Sequence, residues 1–575
     1  MNFVINKIST IRLDSRILLL ALLCFITLSC GSKKDKIDNP KPTVPTVKNP
    51  QLNNLTIDGQ QFNTTIMNSS LRPTIAISFS QPLKASTLSS ISLADNNGAS
   101  VSISTTLTKG DSAVLIQPTN NLSFLNKYTV TISNQLQSAS GGLLQSPFNS
   151  SFVTKLDSTI KFTQVSDDAL LDTVQKRTLK YFWDFAHPVS GLAREGSKHS
   201  ANIVTSGGSG FGIMALIVAA ERGFIPKADV LNRMKTVISF LKNTAQTFHG
   251  AFPHWLDGST GVVIPFSTND NGADLVETSF LVQGLLCARQ YFNGTGLIEN
   301  LLRADINTII DRVEWNWFRQ NNQEALYWHW SQDKGWAMNM KIQGWNEALI
   351  TYVLAASSKN YSIPKSVYDN GWARNGGMKS DKSFYGITLP LGSDFGGPLF
   401  LEHYSFLGIN PNGLSDAYAN YEAQTKNHTL INYNYCKTNP RNYYGYSDSV
   451  WGLTASNIQG GYTASSPTND RGFIAPTAAL ASMPYTPAES MAALHYFYYV
   501  LGDKLFKEYG FVDAFSLNEV KNGAAWYSDA FLAIDQGPII VMIENYRSQL
   551  LWNLFTSCPE VKAGMKKLGF SAPYL

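Results

Sequence analysis

Three carboxylates stand at i, i+4 and i+7 in the run Asn269-Asp270-Asn271-Gly272-Ala273-Asp274-Leu275-Val276-Glu277-Thr278. On a helix that spacing puts Asp270, Asp274 and Glu277 on one face. Like charges so placed repel by about 0.2–0.5 kcal/mol per pair. The other positions, within the run and beyond it, are apolar: Leu275, Val276, Phe280, Leu281, Val282, Leu285 and Leu286. An acidic stripe on an otherwise packed helix cannot face a dry core, where ionised carboxylates are too costly. A helix lining a wet cavity meets both demands. A solvated surface stripe, or Asp270 as an N-cap with the others exposed, is the plainer alternative. A calcium loop fits less well, because Ser267 stands where the first Asp ligand belongs.

Two further carboxylates sit at the starts of apolar runs. Glu347, in Gly344-Trp345-Asn346-Glu347-Ala348-Leu349, opens a helix beside Trp345, a setting that tunes an acid; a first-turn Glu favoured by the helix dipole is the bland role. Asp535, in Ala533-Ile534-Asp535-Gln536-Gly537-Pro538, precedes a long apolar helix, where N-capping is the bland role. Glu544 and Arg547 come later on that helix, and an i,i+3 ion pair is their default. Trp183, Trp255, Trp328, Trp330, Trp336, Trp345, Trp451 and Trp526 fall mostly near helix ends and loops. Paired carboxylates with flat aromatic platforms are the equipment of glycoside hydrolysis; large helical domains also bury Trp in their cores. Other chemistries fit poorly. There is no His-Glu-x-x-His and no paired-Cys zinc pattern, so no metal or cofactor is expected. Ser206 to Gly212 lacks the Lys-Ser/Thr ending of a phosphate loop and reads as a tight loop entering a helix. No Gly-x-Ser-x-Gly elbow occurs in a suitable context.

The elements that must position these residues are helical. From about 165 onward apolar residues recur at helical spacing, beginning with Leu170-Leu171, Val174, Leu179, Phe182 and Phe185. Ten or more such runs, joined by Gly-, Asn- and aromatic-rich loops, fit an (α/α)6 barrel over 165–575. No constant repeat period supports a helical solenoid. Residues 51–155 alternate instead, as in Ile75, Ile77, Phe79 and Tyr128, Val130, Ile132, with a turn signal at Asp95-Asn96-Asn97-Gly98. They predict an all-β Ig-like sandwich. The first 160 residues hold no Trp, so a spacer is favoured there over a carbohydrate-binding module.

Residues 1–30 read as an export signal. Lys7, Arg12 and Arg16 precede an apolar stretch from Ile17 to Leu28, too short to span a bilayer, and Thr27-Leu28-Ser29-Cys30-Gly31 looks like a lipobox. Cys30 is the expected lipidation site, anchoring the exported chain to a membrane, in the periplasm or on the cell surface. Ordinary signal-peptidase cleavage with an incidental Cys is the alternative. Residues 31–50 form a Pro-rich tether, and no later stretch is long and apolar enough to cross a membrane. Cys287, Cys436 and Cys558 form no recognisable disulfide framework, and Cys287 reads as a core residue. A net charge of +4 over 575 residues, with scattered Lys and Arg, points away from nucleic acid.

Residues 168–570 resemble the glucoamylase-like catalytic domain of glycoside hydrolase family 144, the bacterial β-1,2-glucanases. The carrying segments are Tyr181-Phe182-Trp183-Asp184, Ser190-Gly191-Leu192-Ala193-Arg194-Glu195, the Asp270/Asp274/Glu277 run, Gly344-Trp345-Asn346-Glu347, Trp451-Gly452-Leu453-Thr454-Ala455-Ser456 and Ala533 to Pro538. Arg72 to Thr154 similarly resembles the bacterial Ig-like domains. The resemblance implies an (α/α)6 barrel and inverting hydrolysis of β-1,2-glucan to short sophoro-oligosaccharides. It places Asp270, Asp274, Glu277, Glu347 and Asp535 in the acidic pocket. Glu347 is expected to be the general acid and Asp535 the base. Trp183, Arg194, Glu195, Trp255, Trp345, Trp451 and Trp526 are expected to contact substrate. Endo and exo action, another β-glucan, and a non-catalytic glycan-binding protein remain as alternatives.

Overall fold

The computed structural model describes residues 46–61, 65–521 and 524–575. Cys30, the export signal and most of the tether lie outside the described residues. The alternating segments pair as two five-stranded sheets. One has the order β2 (Gln60–Gln61), β1 (Leu52–Ile57), β4 (Ile75–Phe79), β8 (Ala113–Pro118), β7 (Ile103–Thr108). The other runs β3 (Ile66–Ser69), β10 (Phe148–Thr154), β9 (Lys127–Ile132), β5 (Ile91–Asp95), β6 (Ser100–Val101). All pairs are antiparallel except β3 with β10. In β4, Ile75, Ile77 and Phe79 point inward while Ala76 and Ser78 do not, as a period of two requires. With Ile57, Val114, Ile116, Val130, Ile132 and Phe152 they form the sandwich core. The sandwich is seated on the helical domain. Tyr444 Oη accepts the Leu156 N–H at 3.2 Å and donates to Asn68 Oδ1 at 3.0 Å, while Leu125 and Val153 join the larger core.

The helical domain is an (α/α)6 barrel. Its principal helices are α1 (Asp167–Trp183), α2 (Ser206–Glu221), α3 (Lys227–Asn243), α4 (Leu275–Tyr291), α5 (Leu297–Asp311), α6 (Leu349–Ser357), α7 (Tyr421–Thr438), α8 (Pro476–Leu480), α9 (Pro487–His495), α10 (Ala533–Ser548), α11 (Leu550–Thr556) and α12 (Pro559–Leu568). Two populations separate by sequence. Helices α2, α4, α6, α8 and α10 are buried along nearly their whole length and form the inner ring, with the 3-10 turn Ser405–Leu407 between α6 and α10. A helix apolar on all sides belongs inside. Outer α3 buries only Val230, Met234, Val237, Ile238, Phe240 and Leu241, a stripe at helical spacing.

The Gly-rich segment from Ser206 is the start of α2, not a loop before it. Its composition has a packing reason. A Cβ on Gly210 would lie 2.1 Å from the Phe280 carbonyl oxygen, and one on Gly284 would lie 2.2 Å from the Gly210 oxygen. The backbones of α2 and α4 touch at this crossing, which fixes the two helices that carry the site. Glu544 and Arg547 do not pair with each other. Glu544 takes a two-pronged contact from Arg222 at 2.8 and 2.9 Å, and Arg547 reaches Asp168 and Asp172 on α1. These bonds tie the inner α10 to α2 and to α1. Cys287, Cys436 and Cys558 are free and buried. No helix among the described residues is long and apolar enough to cross a membrane.

Candidate active site

Asp274 caps α4 rather than lying on its face. Its Oδ1 accepts the N–H groups of Val276 at 3.0 Å and Glu277 at 2.9 Å. The helix therefore starts at Leu275, and the expected single-face stripe of three carboxylates does not form. Asp270 sits in the preceding loop, which doubles back through a bridge between Ser267 and Asp270. The three acids still meet, by loop folding. Asp274 also pairs across a two-residue bridge with His329, and Ala273 with Trp330. That bridge brings in His329, which spacing along the chain could not.

Asp274 Oδ2 is surrounded by donors: Trp328 Nε1 at 3.3 Å, His329 Nε2 at 3.3 Å and His254 Nδ1 at 3.4 Å. His329 Nε2 also reaches Asp270 Oδ2 at 3.1 Å. Burial disfavours charge on Asp274, yet His329 and His254 more than offset this and hold it well below the usual carboxylate range. Burial likewise works against protonated imidazoles, but Glu277 and Asp274 raise His254 to about 10, and Asp274 and Asp270 raise His329 to about 9. His254, Asp270 and Asp274 offer atoms within 4.8 Å of one another and could hold a metal ion.

Glu277 points at the start of α2, where Oε2 accepts the Gly207 N–H at 2.8 Å. A Cβ on Gly207 would lie 2.4 Å from that oxygen, so only glycine admits the carboxylate here. Burial, with Asp274 and Glu195 nearby, raises the Glu277 carboxyl to about 7 despite His254. Glu347 lies in the turn before α6. Burial and then the Asp274 charge raise it to about 7 as well.

These groups face a cavity of about 540 Å³. Glu195, Asp270, Asp274, Glu277 and Glu347 supply its acids, and Trp255, Phe266, Trp328, Tyr404 and Tyr462 its rings. Other expected site residues lie elsewhere. Asp535 is buried within the first turn of α10 and does not line the cavity, which is walled there by Leu532 and Ile534. Burial and the neighbouring Asp513 carboxyl raise its own carboxyl, which disfavours the ionised form that a general base needs. Trp183 carries Arg233 over its ring at 4.5 Å on the outer layer. Arg194 stacks on Phe185 at 4.6 Å. Trp345 is core, donating to Glu402 at 3.1 Å, and Trp451 is fully buried, donating to the Glu489 carbonyl at 3.2 Å. Trp526 packs edge-on against Phe473. Aromatic type alone does not separate platform from core. The sequence reading misses His254, His329, Tyr404, Tyr462 and Asp513; a His between two Trp, as in Trp328-His329-Trp330, is the available signal.

The acid cluster has a consequence for stability. Glu277 and Glu347 titrate near 7 when folded and near an ordinary 4.3 when unfolded. The folded state therefore binds more protons, and stability falls as pH rises from about 4.5 through 7. His254 and His329, also raised, contribute stability that is full below about 6.5 and lost as pH passes 9 to 10. Asp274 acts oppositely, its contribution being present above about 3.9 and lost on acidification. The melting temperature should peak near pH 5 and decline toward pH 8. A thermal melt series that rises across that interval contradicts the assignment.

A glucoamylase family model (Glycoamylase) matches 339–559, and a bacterial Ig-like domain model matches 47–154. The solved structure of an endo-β-1,2-glucanase from Chitinophaga pinensis is 51% identical, with a TM-score of 0.69, and the match covers 72% of this chain and 100% of that one. The chain belongs to the glucoamylase-like family. This agrees with the family 144 resemblance. A β-1,2-glucanase from Parabacteroides distasonis is 36% identical with a TM-score of 0.68, covering 92% of this chain and 74% of its own. An exo β-1,2-glucooligosaccharide sophorohydrolase (non-reducing end) of the same organism is 44% identical over 425 residues, 70% of this chain. The chain spans 58% of that protein's length, less than two thirds.

Proposed function

We propose that this glucoamylase-like protein hydrolyses β-1,2-glucan. The observation that carries the reading is the cavity wall: five carboxylates facing aromatic rings, two of the acids held near pH 7 and one firmly ionised. Relatives named for β-1,2-glucan hydrolysis support the substrate. An inverting glycosidase needs one protonated acid at the leaving oxygen and one carboxylate to activate water. Glu347 fits the acid: it is raised, and its carboxyl stands on a turn rather than in an ion pair. Asp270 fits the base. His329 holds one oxygen, and among the described residues no donor claims the other. Asp274 has its lone pairs filled and positions the others. Trp255 offers a buried indole N–H with no partner among the described residues, suited to a sugar hydroxyl.

Incubation with linear β-1,2-glucan should release new reducing ends, and the product sizes over time separate endo from exo cleavage. Binding without any release would make the barrel a glycan-binding module instead. We also infer, from sequence alone, export and lipid anchoring at Cys30 in the outer membrane. Radiolabelled palmitate incorporated by the whole chain and lost in Cys30→Ser tests it.

A further inference from the structure

We propose that Asp513 is a positioning residue: bonded to Asp535 behind the cavity wall, it pins the 455–464 hairpin in place. The pinning itself is independent of the proposed activity; its effect on turnover rests on that reading.

The hairpin pairs Ala455–Ile458 with Gly461–Ala464 and, among the described residues, joins no larger sheet. It supplies Ala455, Asn457, Tyr462 and Ala464 to the cavity, and Tyr462 is 53% exposed. A lone two-stranded hairpin is marginal in water, so something must hold it. Two contacts do. Ile458 packs with Phe473, Ala514 and Trp526 in a small cluster separate from the main core. The Asn457 N–H donates to Asp513 Oδ2 at 2.5 Å.

Asp513 and Asp535 are each only 2% exposed. Asp513 Oδ1 and Asp535 Oδ2 are buried and neither has a donor when both carboxyls are ionised, while the two side chains lie within hydrogen-bonding reach of each other. Two ionised carboxylates cannot sit in that contact. One shared proton satisfies both oxygens. Asp513 thus gives one oxygen to the hairpin and turns the other toward α10, linking the hairpin to the inner ring. The other charge bearing on Asp535 is the Glu195 carboxylate. Around the pair stand the Tyr181, Tyr404 and Tyr462 hydroxyls, with Arg194 beside Tyr181. Among the described residues no cation pairs with either carboxyl. Loss of the shared proton would drive the carboxylates apart and release Asn457.

The test is hydrogen exchange at the Asn457 amide in the whole protein without glucan, from pH 5 to 9, read as protection relative to the free amide. Wild type should be protected at low pH and lose protection as pH rises. Asp513→Asn keeps an acceptor for Asn457 and a donor for Asp535 but carries no shared proton, so its protection should persist with little pH dependence. Asp513→Ala should lose about tenfold in protection, as expected for a bond to a charged acceptor. On glucan it should raise KM more than it lowers kcat. Unchanged protection in Asp513→Ala, or the same pH dependence in Asp513→Asn as in wild type, overturns the proposal. If Asp513→Ala fails to fold, the Asn variant decides alone. A chain inert on glucan would sink the proposed activity and leave the exchange result standing.

Discussion

Glu347→Gln should lower kcat on β-1,2-glucan by about 10²- to 10⁴-fold, the usual worth of a positioned general acid. KM should change little, because the amide keeps the shape and polarity of the carboxyl. The fold should survive, since Glu347 holds its helix through backbone groups: its carbonyl accepts from the Ser405 hydroxyl. The pH profile makes the test specific. A general acid must be protonated to act, and this carboxyl is raised to about 7. Wild-type activity should therefore fall as pH rises beyond about 7, and that limb should disappear from the residual activity of the variant. Turnover near wild type in Glu347→Gln would remove Glu347 from the reaction. Glu277 would then be the next candidate, since burial raises it equally, although its bond to Gly207 holds it back from a leaving group.

Much of this arrangement is legible in the sequence, and the boundary of legibility has a physical cause. Uniformly apolar runs announce the inner helices because a ring of buried helices has no polar face to display. Alternation announces the sandwich for the same kind of reason. The carboxylates Asp270, Asp274, Glu277 and Glu347 are visible because charge in an apolar run is costly and must have a use. Their geometry is not visible. The spacing predicts one helix over the whole run, whereas Asp274 caps it, and a cap and a first-turn carboxylate look alike along the chain. The imidazoles' contact with Asp274 is invisible because His254 and His329 reach it from 20 and 55 residues away in sequence. Asp513 is invisible for the same reason. It lies in an apolar stretch beside a short strand, and only the fold places it against Asp535. Trp345 and Trp451 mislead because a large ring serves a core as readily as a sugar.

Asp274→Ala should be the most destabilising single change in the site. It removes the cap of α4, a loss of about 0.5–2 kcal/mol. It also takes from His254 and His329 an anion that, with Glu277 and Asp270, keeps them protonated, and breaking a buried charged cluster costs about 3–5 kcal/mol. The two losses share one residue and do not simply add. The rings can recover part of the cost by releasing their protons, so a net loss near the lower end of the second range is expected in the unfolding transition of the helical domain. Ring titration separates cap from charge. In Asp274→Asn the side-chain oxygen still caps the helix, but the anion is gone. His254 should fall from about 10 and His329 from about 9 toward the ordinary 6.5 in both variants. Only Asp274→Ala should add fraying at Val276 and Glu277. Histidines that kept their high values without the Asp274 charge would mean that Glu277 and Asp270 alone sustain them. The hub of the site would then lie with those acids and not with the cap of α4.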